Sequence, residues 1–255
     1  MTATYTTDLL DLRLGDCMDL MRDTPDGYFD LAIVDPPYGR GEDGGKNRTT
    51  VPNSANNTAG TIVKGTMLPK KNWDKEPPPL EYFAELRRVS KHQIVWGVNY
   101  YPGEWRGGRI IWDKVNDGSD QSDAEIAYCS LIERVDMLRY MWRGMYQGRS
   151  TVNGTIQQGD KRLNEKKIHP TQKPVALYKW LLANYAKPGQ RILDTHLGSG
   201  SIAIACHYFG AHLTAAEIDP DYFAAAIDRI KRETQQVELP LAAAPRIEQP
   251  KLKLR

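Results

Sequence analysis

Two consecutive prolines close an apolar run, Tyr28-Phe29-Asp30-Leu31-Ala32-Ile33-Val34, and constrain this chain more than any other feature. The run is short, aromatic and β-branched, which predicts a buried strand. Pro36 and Pro37 end it, because each lacks the N–H that a ladder needs and fixes its own φ. Asp35 is therefore held stiffly at the C-terminal end of a strand, with the planar ring of Tyr38 three residues on. In an open α/β sheet that edge is where ligands bind. A carboxylate on a rigid elbow beside an aromatic face suits an exocyclic amine on a flat heterocycle. Asp35 and the Pro36 carbonyl can accept its two protons while Tyr38 stacks on the ring. The plain alternative is a strand-ending turn, since Asp and Pro are common turn residues.

The surrounding pattern alternates strands and helices. Asp8 to Leu14 reads as a strand stopped by Gly15-Asp16, and Met18 to Met21 begins a short helix that Pro25-Asp26-Gly27 ends. Asp16 thus stands at a second strand end, where capping the helix is the other reading. Behind Pro77-Pro78-Pro79, Leu80 to Val89 has helical spacing, and Ile94 to Val98 is a strand leading to Asn99-Tyr100-Tyr101-Pro102. Arg109 to Asp113 and Glu125 to Ser130 are two more strands, parted by a turn at Asn116 to Ser119. They are expected to form an antiparallel end of the sheet. Trp96 and Trp112 are expected in the core.

His169-Pro170-Thr171-Gln172-Lys173-Pro174 opens the next helix, buried along Val175, Leu177, Leu181 and Leu182 until Pro188-Gly189. Free N–H groups of its first turn, with Lys173, predict an anion site. Arg191 to Asp194 is a strand running into Gly198-Ser199-Gly200 and a helix. The glycines permit close approach of backbone to a ligand. Gly198-x-Gly200-x-x-Ala203, with Glu217 ending strand His212 to Ala216, also fits a dinucleotide fingerprint. Either way an adenosine belongs here, with Glu217 on its ribose. Tyr222 to Arg232 reads as a closing amphipathic helix.

Two stretches are basic and without periodicity. Residues 40–75 carry Arg40, Lys46, Arg48, Lys64, Lys70, Lys71 and Lys75 against Glu42, Asp43 and Asp74, and read as a mobile loop. Residues 139–174 carry Arg139, Arg143, Arg149, Lys161, Arg162, Lys166, Lys167 and Lys173 against Asp160 and Glu165, with Trp142 and Tyr146 interleaved. Both suit contact with nucleic-acid phosphate, as they would suit solvated loops.

Asp-Pro-Pro-Tyr-Gly at 35–39 resembles the catalytic motif of the amino-group DNA methyltransferases, which methylate adenine N6 or cytosine N4. His169 to Pro174 and Leu193-Asp194-Thr195-His196-Leu197-Gly198-Ser199-Gly200 resemble that family's cofactor motifs, in the order of its β group. The resemblance spans residues 8 to 233. It implies S-adenosylmethionine as cofactor, S-adenosylhomocysteine as product, and double-stranded DNA as partner. By the same resemblance Asp35, Pro36, Pro37 and Tyr38 carry catalysis on a flipped-out base. Asp16, Cys17, Glu217 and Ile218 would approach the adenosine of the cofactor. Asp35, His169, Thr171, Lys173, Asp194, His196, Gly198, Ser199 and Gly200 would line the rest of the cofactor site, with Lys173 facing the methionine carboxylate. Arg40, Lys70, Lys71, Arg143, Arg149, Lys161 and Arg162 are the expected DNA contacts. His196 departs from the family, where Phe is usual.

The expected fold is thus α/β, a doubly wound and mainly parallel sheet of the S-adenosylmethionine-dependent methyltransferase type. The catalytic domain covers 1–236, with the mobile loop 40–75 and a target-recognition region 139–168 inside it, and 237–255 is a flexible basic tail. Adenine is expected over cytosine, because the cytosine enzymes more often carry Ser in place of Asp35. RNA methylation, a silent DNA-binding module on the same fold, and a nicotinamide oxidoreductase remain as alternatives. Hydride transfer, however, offers no role for Asp35 and Tyr38. At 255 residues and a net charge of +2, this is one domain able to bury a real core. Cys17, Cys129 and Cys206 lie far apart with no metal-ligand spacing, so a reducing, cytoplasmic setting without a metal is expected. No stretch is long and apolar enough to predict a membrane span. The resemblance implies that dimers are common in the group and says nothing of a partner nuclease.

Overall fold

A computed structural model describes residues 3–45, 68–115, 122–143, 146–148 and 164–235. The turn expected at 116–119, the loop interior 46–67 and the tail 237–255 lie outside them, as do Arg149, Lys161 and Arg162. Arg143 is placed in a strand by its backbone alone.

The chain opens with strands β1 (Thr4–Thr6) and β2 (Leu10–Leu14), helix α1 (Cys17–Arg22) and strand β3 (Phe29–Val34). Helix α2 (Leu80–Val89) leads into β4 (Ser90–Trp96). Strands β5 (Gly108–Asp113), β6 (Ala124–Cys129) and β7 (Val135–Arg139) follow, then the short pair β8 (Met141–Arg143) and β9 (Tyr146–Gly148). Helix α3 (Val175–Tyr185), strand β10 (Arg191–Asp194), helix α4 (Ser201–Phe209), strand β11 (His212–Glu217) and helix α5 (Pro220–Thr234) complete the described chain.

Nine strands form one sheet in the order β1-β2-β11-β10-β3-β4-β6-β5-β7. The five from β2 to β4 run parallel. The expected antiparallel end is present, since β6 opposes both β4 and β5. Beyond it β7 returns parallel to β5, which the sequence did not suggest. Its alternation of exposed Val135 and Met137 with Asp136 marks a one-sided edge strand.

The parallel strands read as unbroken apolar runs because both faces are covered. Leu31 and Ile33 of β3 pack with Ile94 and Trp96 of β4 against α3, α4 and α5. Ala32, Val34 and Val95 face the other way, against Leu20 and Met21 of α1 and Tyr82, Phe83 and Leu86 of α2. Trp96 and Trp112 are fully buried, as core residues should be.

One topological consequence positions the site. From β3 the chain crosses to β4 on one side, whereas from β10 it crosses to β11 on the other. The crevice between the C-terminal ends of β3 and β10 is therefore the switch point, where ligands bind in open α/β sheets. Asp35 follows β3 there, Asp194 ends β10, Glu217 ends β11, and Asp16 lies just beyond β2.

Candidate active site

Asp35 sits on the proline elbow at the end of β3, with its side chain about 16% exposed. One carboxylate oxygen accepts from the Tyr38 hydroxyl at 2.7 Å. The other is paired with Lys173 Nζ at 2.5 Å. That ammonium also reaches Glu125 at 2.9 Å and the Tyr38 hydroxyl at 3.2 Å, so its three donors are all used. Glu125 in turn holds Lys114 at 2.5 Å. Four mutually compensating charges thus lie under the elbow, an arrangement that makes their burial tolerable.

Their protonation follows from this packing. Burial pushes the Asp35 carboxyl up, Lys173 pulls it back, and Glu125 pushes it up again, leaving it raised. Burial also acts on Glu125, but Lys173 and Lys114 hold it down to about 2. Burial alone would drive the Lys173 proton off, and the two carboxylates more than reverse this.

The elbow is braced from β4. The Tyr101 hydroxyl donates to the Pro36 carbonyl at 2.7 Å. Tyr100 stacks on Tyr38 with ring centres 5.0 Å apart, and Arg40 lies over the Tyr100 ring. Gly97 makes this possible. It stands in the left-handed region at φ +74°, and a Cβ there would come within 2.1 Å of the Tyr38 ring.

The anion site expected at the first turn of α3 needs correction. The Val175 N–H is taken by Glu165 Oε1 at 2.9 Å, so the chain supplies the helix's acceptor itself. Lys173 is buried between Asp35 and Glu125. Two carboxylates within reach outcompete a solvated position for that ammonium.

The expected adenosine side is brought together at the ends of β2, β10 and β11. Glu217 accepts from Gly198 N at 2.8 Å and from Asp219 N at 2.9 Å, which shapes the glycine turn and leaves lone pairs free. Asp16 caps α1 by accepting from Met18 N, so the capping reading holds. Ile218 beside Glu217 is an exposed apolar side chain. The Cys17 thiol is pushed up to about 12 by burial and then Asp16, which makes it unreactive. Asp194 accepts from His196 N and is raised to about 7, chiefly by burial. His196 packs edge-on against Tyr82, and burial lowers it to about 4, so it is a neutral ring like the Phe it replaces.

The ends of the long basic loop are not loose. Asp74 accepts from Gly39 N and Glu42 N, and backbone bonds join Gly41 to Asp74, Gly45 to Leu68 and Lys71 to Asp43. Lys70 pairs with Asp43, and Lys71 with Asp219 and Asp221 at the start of α5. Trp73 stacks on His169, which meets Tyr222 edge-on and carries Thr171 on its Nδ1. These bonds tie down 40–45 and 68–75 through the loop's own Asp43 and Asp74 and, for Lys71, through the acids that open α5. Ser199 donates or accepts with Ser201 and gives its carbonyl to buried Arg229.

A sequence profile of N6/N4 methyltransferases, described as DNA methylase, matches residues 133–228, a span that holds both cofactor motifs. Over that span the chain is similar to the amino-group DNA methyltransferases. The similarity reaches well beyond that span. Type II methyltransferase M.HinfI of Haemophilus influenzae is 25% identical over 253 residues, covering 85% of this chain and 67% of its own. Type II methyltransferase M2.MboI of Moraxella bovis is 24% identical over 223 residues, 75% of this chain and 76% of its own. Among solved structures, the cytosine-N4-specific PvuII DNA methyltransferase matches with a TM-score of 0.51 at 14% identity, over 90% of this chain and 93% of that one. The M1.HpyAVI–SAM complex matches with a TM-score of 0.50 at 17% identity, over 87% and 100%. These two likenesses concern the fold.

Glu125, Lys114, Tyr101 and Arg229 escaped sequence reasoning. Glu125 stands opposite Trp112 in the β5–β6 register, so Lys114 reaches it diagonally from two residues further on, and neither lies in a motif. Tyr101 carried a faint signal, as one of two tyrosines beyond a strand end.

Proposed function

We propose that this methyltransferase moves a methyl group from S-adenosylmethionine to the exocyclic amine of a base flipped out of double-stranded DNA, with adenine N6 as the target. The observation that carries the reading is the pair of acceptors, the Asp35 carboxylate and the Pro36 carbonyl, rigidly held at the switch point beside an acid-lined adenosine cleft.

The residues present fit the cofactor. Glu217 keeps lone pairs for ribose hydroxyls, Ile218 offers an apolar cover for a purine, and neutral His196 adds no positive charge beside a sulfonium. S-adenosylmethionine supplies an electrophilic methyl group. The chain supplies position and electron density. Flipping costs roughly a few kcal/mol, met by new contacts in the site. Tyr38 receives the base on the face now covered by Tyr100. Asp35 and Pro36 O would accept hydrogen bonds from the amine, each oxygen having lone pairs beyond its present partner. Accepting them raises the nucleophilicity of the nitrogen and stabilises the charge that develops on it as the nitrogen–methyl bond forms and the sulfur–methyl bond breaks, after which the methylated amine gives up one proton.

Adenine rests on Asp35 standing at the position that is more often Ser in the cytosine enzymes. Arg40 at the mouth, and the block 139–168, are the surfaces we assign to DNA, and a homodimer is compatible with this reading.

The test is to incubate the protein with methyl-labelled S-adenosylmethionine and unmethylated genomic DNA, digest to nucleosides and separate them. Label in N6-methyldeoxyadenosine is expected. Label in N4-methyldeoxycytidine would overturn the base while keeping the reaction, and DNA binding without label would make the chain a silent module.

A further inference from the structure

We propose that Lys173, seated by Glu125 and Lys114, is a positioning residue for methyl transfer, whose ammonium keeps the buried Asp35 carboxylate ionised and aimed at the target amine. The inference rests on the methyltransferase reading above.

Lys173 is 3% exposed and touches Asp35, Glu125 and the Tyr38 hydroxyl together. Without a cation, a carboxylate as enclosed as Asp35 would take up a proton, because burial disfavours the charged form. A protonated Asp35 would offer the amine a donor where the reaction needs an acceptor. Glu125 gives the ammonium a second anchor, and Lys114 keeps Glu125 from drawing Lys173 off Asp35. The other ionisable groups around Asp35 are Tyr38 on its own elbow, Tyr101 after β4, Asp194 of β10, Tyr82 of α2 and Tyr178 of α3. Among the described residues, none of these brings a positive charge. Asp35 also keeps unused lone pairs with Lys173 in place, so the ammonium and the amine can be accommodated together.

Asp35 acts as a carboxylate, so activity falls as pH drops through its pKa. Removing Lys173 raises that pKa and moves the acid limb of the rate profile upward. Glu125 fixes no sign, because it raises Asp35 directly while anchoring the Lys173 that lowers it, and Lys114 acts on Asp35 only through Glu125.

The test compares full-length wild type, Lys173→Met, Lys173→Gln and Lys173→Arg. Single-turnover rates are measured from pH 5 to 10 on DNA that the wild type methylates, with S-adenosylmethionine affinity measured separately by calorimetry. Wild-type activity in the same plates tests the parent reading independently. The expected result for Lys173→Met is an acid limb shifted up by at least one pH unit, a tenfold or greater rate loss at pH 7 that shrinks at high pH, and cofactor affinity within threefold. Lys173→Arg is expected to restore the limb. Unmoved limbs with cofactor affinity lost would overturn the proposal and return Lys173 to the cofactor carboxylate. If Lys173→Met does not fold, Lys173→Gln takes its place, with the same expected shift and the same refuting result.

Discussion

Arg229→Met should be the most costly single change outside the catalytic elbow. The guanidinium is 1% exposed and donates to Glu165 at 2.7 Å, Glu233 at 2.9 Å, Ser201 Oγ at 2.9 Å and the Ser199 carbonyl at 3.1 Å. Glu165 uses its second oxygen to cap α3 at Val175, and its backbone binds Gln147 of β9 twice. One side chain therefore ties the glycine turn, α3, α5 and the β8–β9 pair together. Methionine fills much of the volume but strands Glu165, whose carboxyl burial already pushes upward. Breaking one partner of a buried pair costs about 3–5 kcal/mol. At about 2–4 °C per kcal/mol for a domain near this size, Tm should fall by about 6–20 °C. The double variant Arg229→Met/Glu165→Gln should recover part of this, with a coupling of about 1–3 kcal/mol. In Arg229→Met the folded chain can bind a proton at Glu165 that the unfolded chain releases at the same pH. Its deficit must therefore shrink as pH falls from 7.5 to 5.5. Urea melts of wild type, Arg229→Met, Glu165→Gln and the double variant at both pH values provide the assay. Additive losses within 0.5 kcal/mol, or a deficit that grows on acidification, would refute the reasoning.

Two further outcomes follow from the same geometry. Gly97→Ala should lose about 1–2 kcal/mol from the left-handed backbone alone, and displacement of the Tyr38 ring should lower methylation by far more than the melting temperature implies. Parallel melts and label-transfer rates check this. His169 is lowered to about 3, mainly by burial, so the folded chain resists a proton that the unfolded chain accepts below about 6.5. Stability is therefore lost as pH falls from there, by up to about 1.4 kcal/mol per unit from this ring, and His169→Phe should flatten that slope in urea melts between pH 4.5 and 6.5.

The parallel core was legible because its strands bury both faces and so appear as continuous apolar runs ended by Gly, Pro or Asp. The helices at 80–89, 201–209 and 220–234 follow from periodicity and capping residues such as Asp219, whose carboxylate accepts from two N–H groups of the first turn. The catalytic elbow was legible for a stronger reason, since two prolines leave the backbone few alternatives. What the sequence concealed was side-chain pairing between distant segments. Lys173 looked like a helix-terminal cation because its motif lies next to α3, yet it sits 138 positions after Asp35 and beside it in space. Glu125 and Lys114 are ordinary strand-end charges until the hairpin register places them together. The loop ends at 40–45 and 68–75 read as mobile because their composition is polar, whereas their acids and amides satisfy one another. Strand β7 was missed because an edge strand with alternating Val, Asp and Met gives a weak apolar signal.

The central claim is that Asp35 acts on the target amine. Single-turnover transfer of labelled methyl to DNA by wild type and Asp35→Ala, with cofactor affinity measured on both, tests it most directly. The account predicts label on DNA with wild type, a rate at least about 10²–10³-fold lower in the variant, and cofactor affinity changed little. A variant that methylates within tenfold of wild type would contradict it.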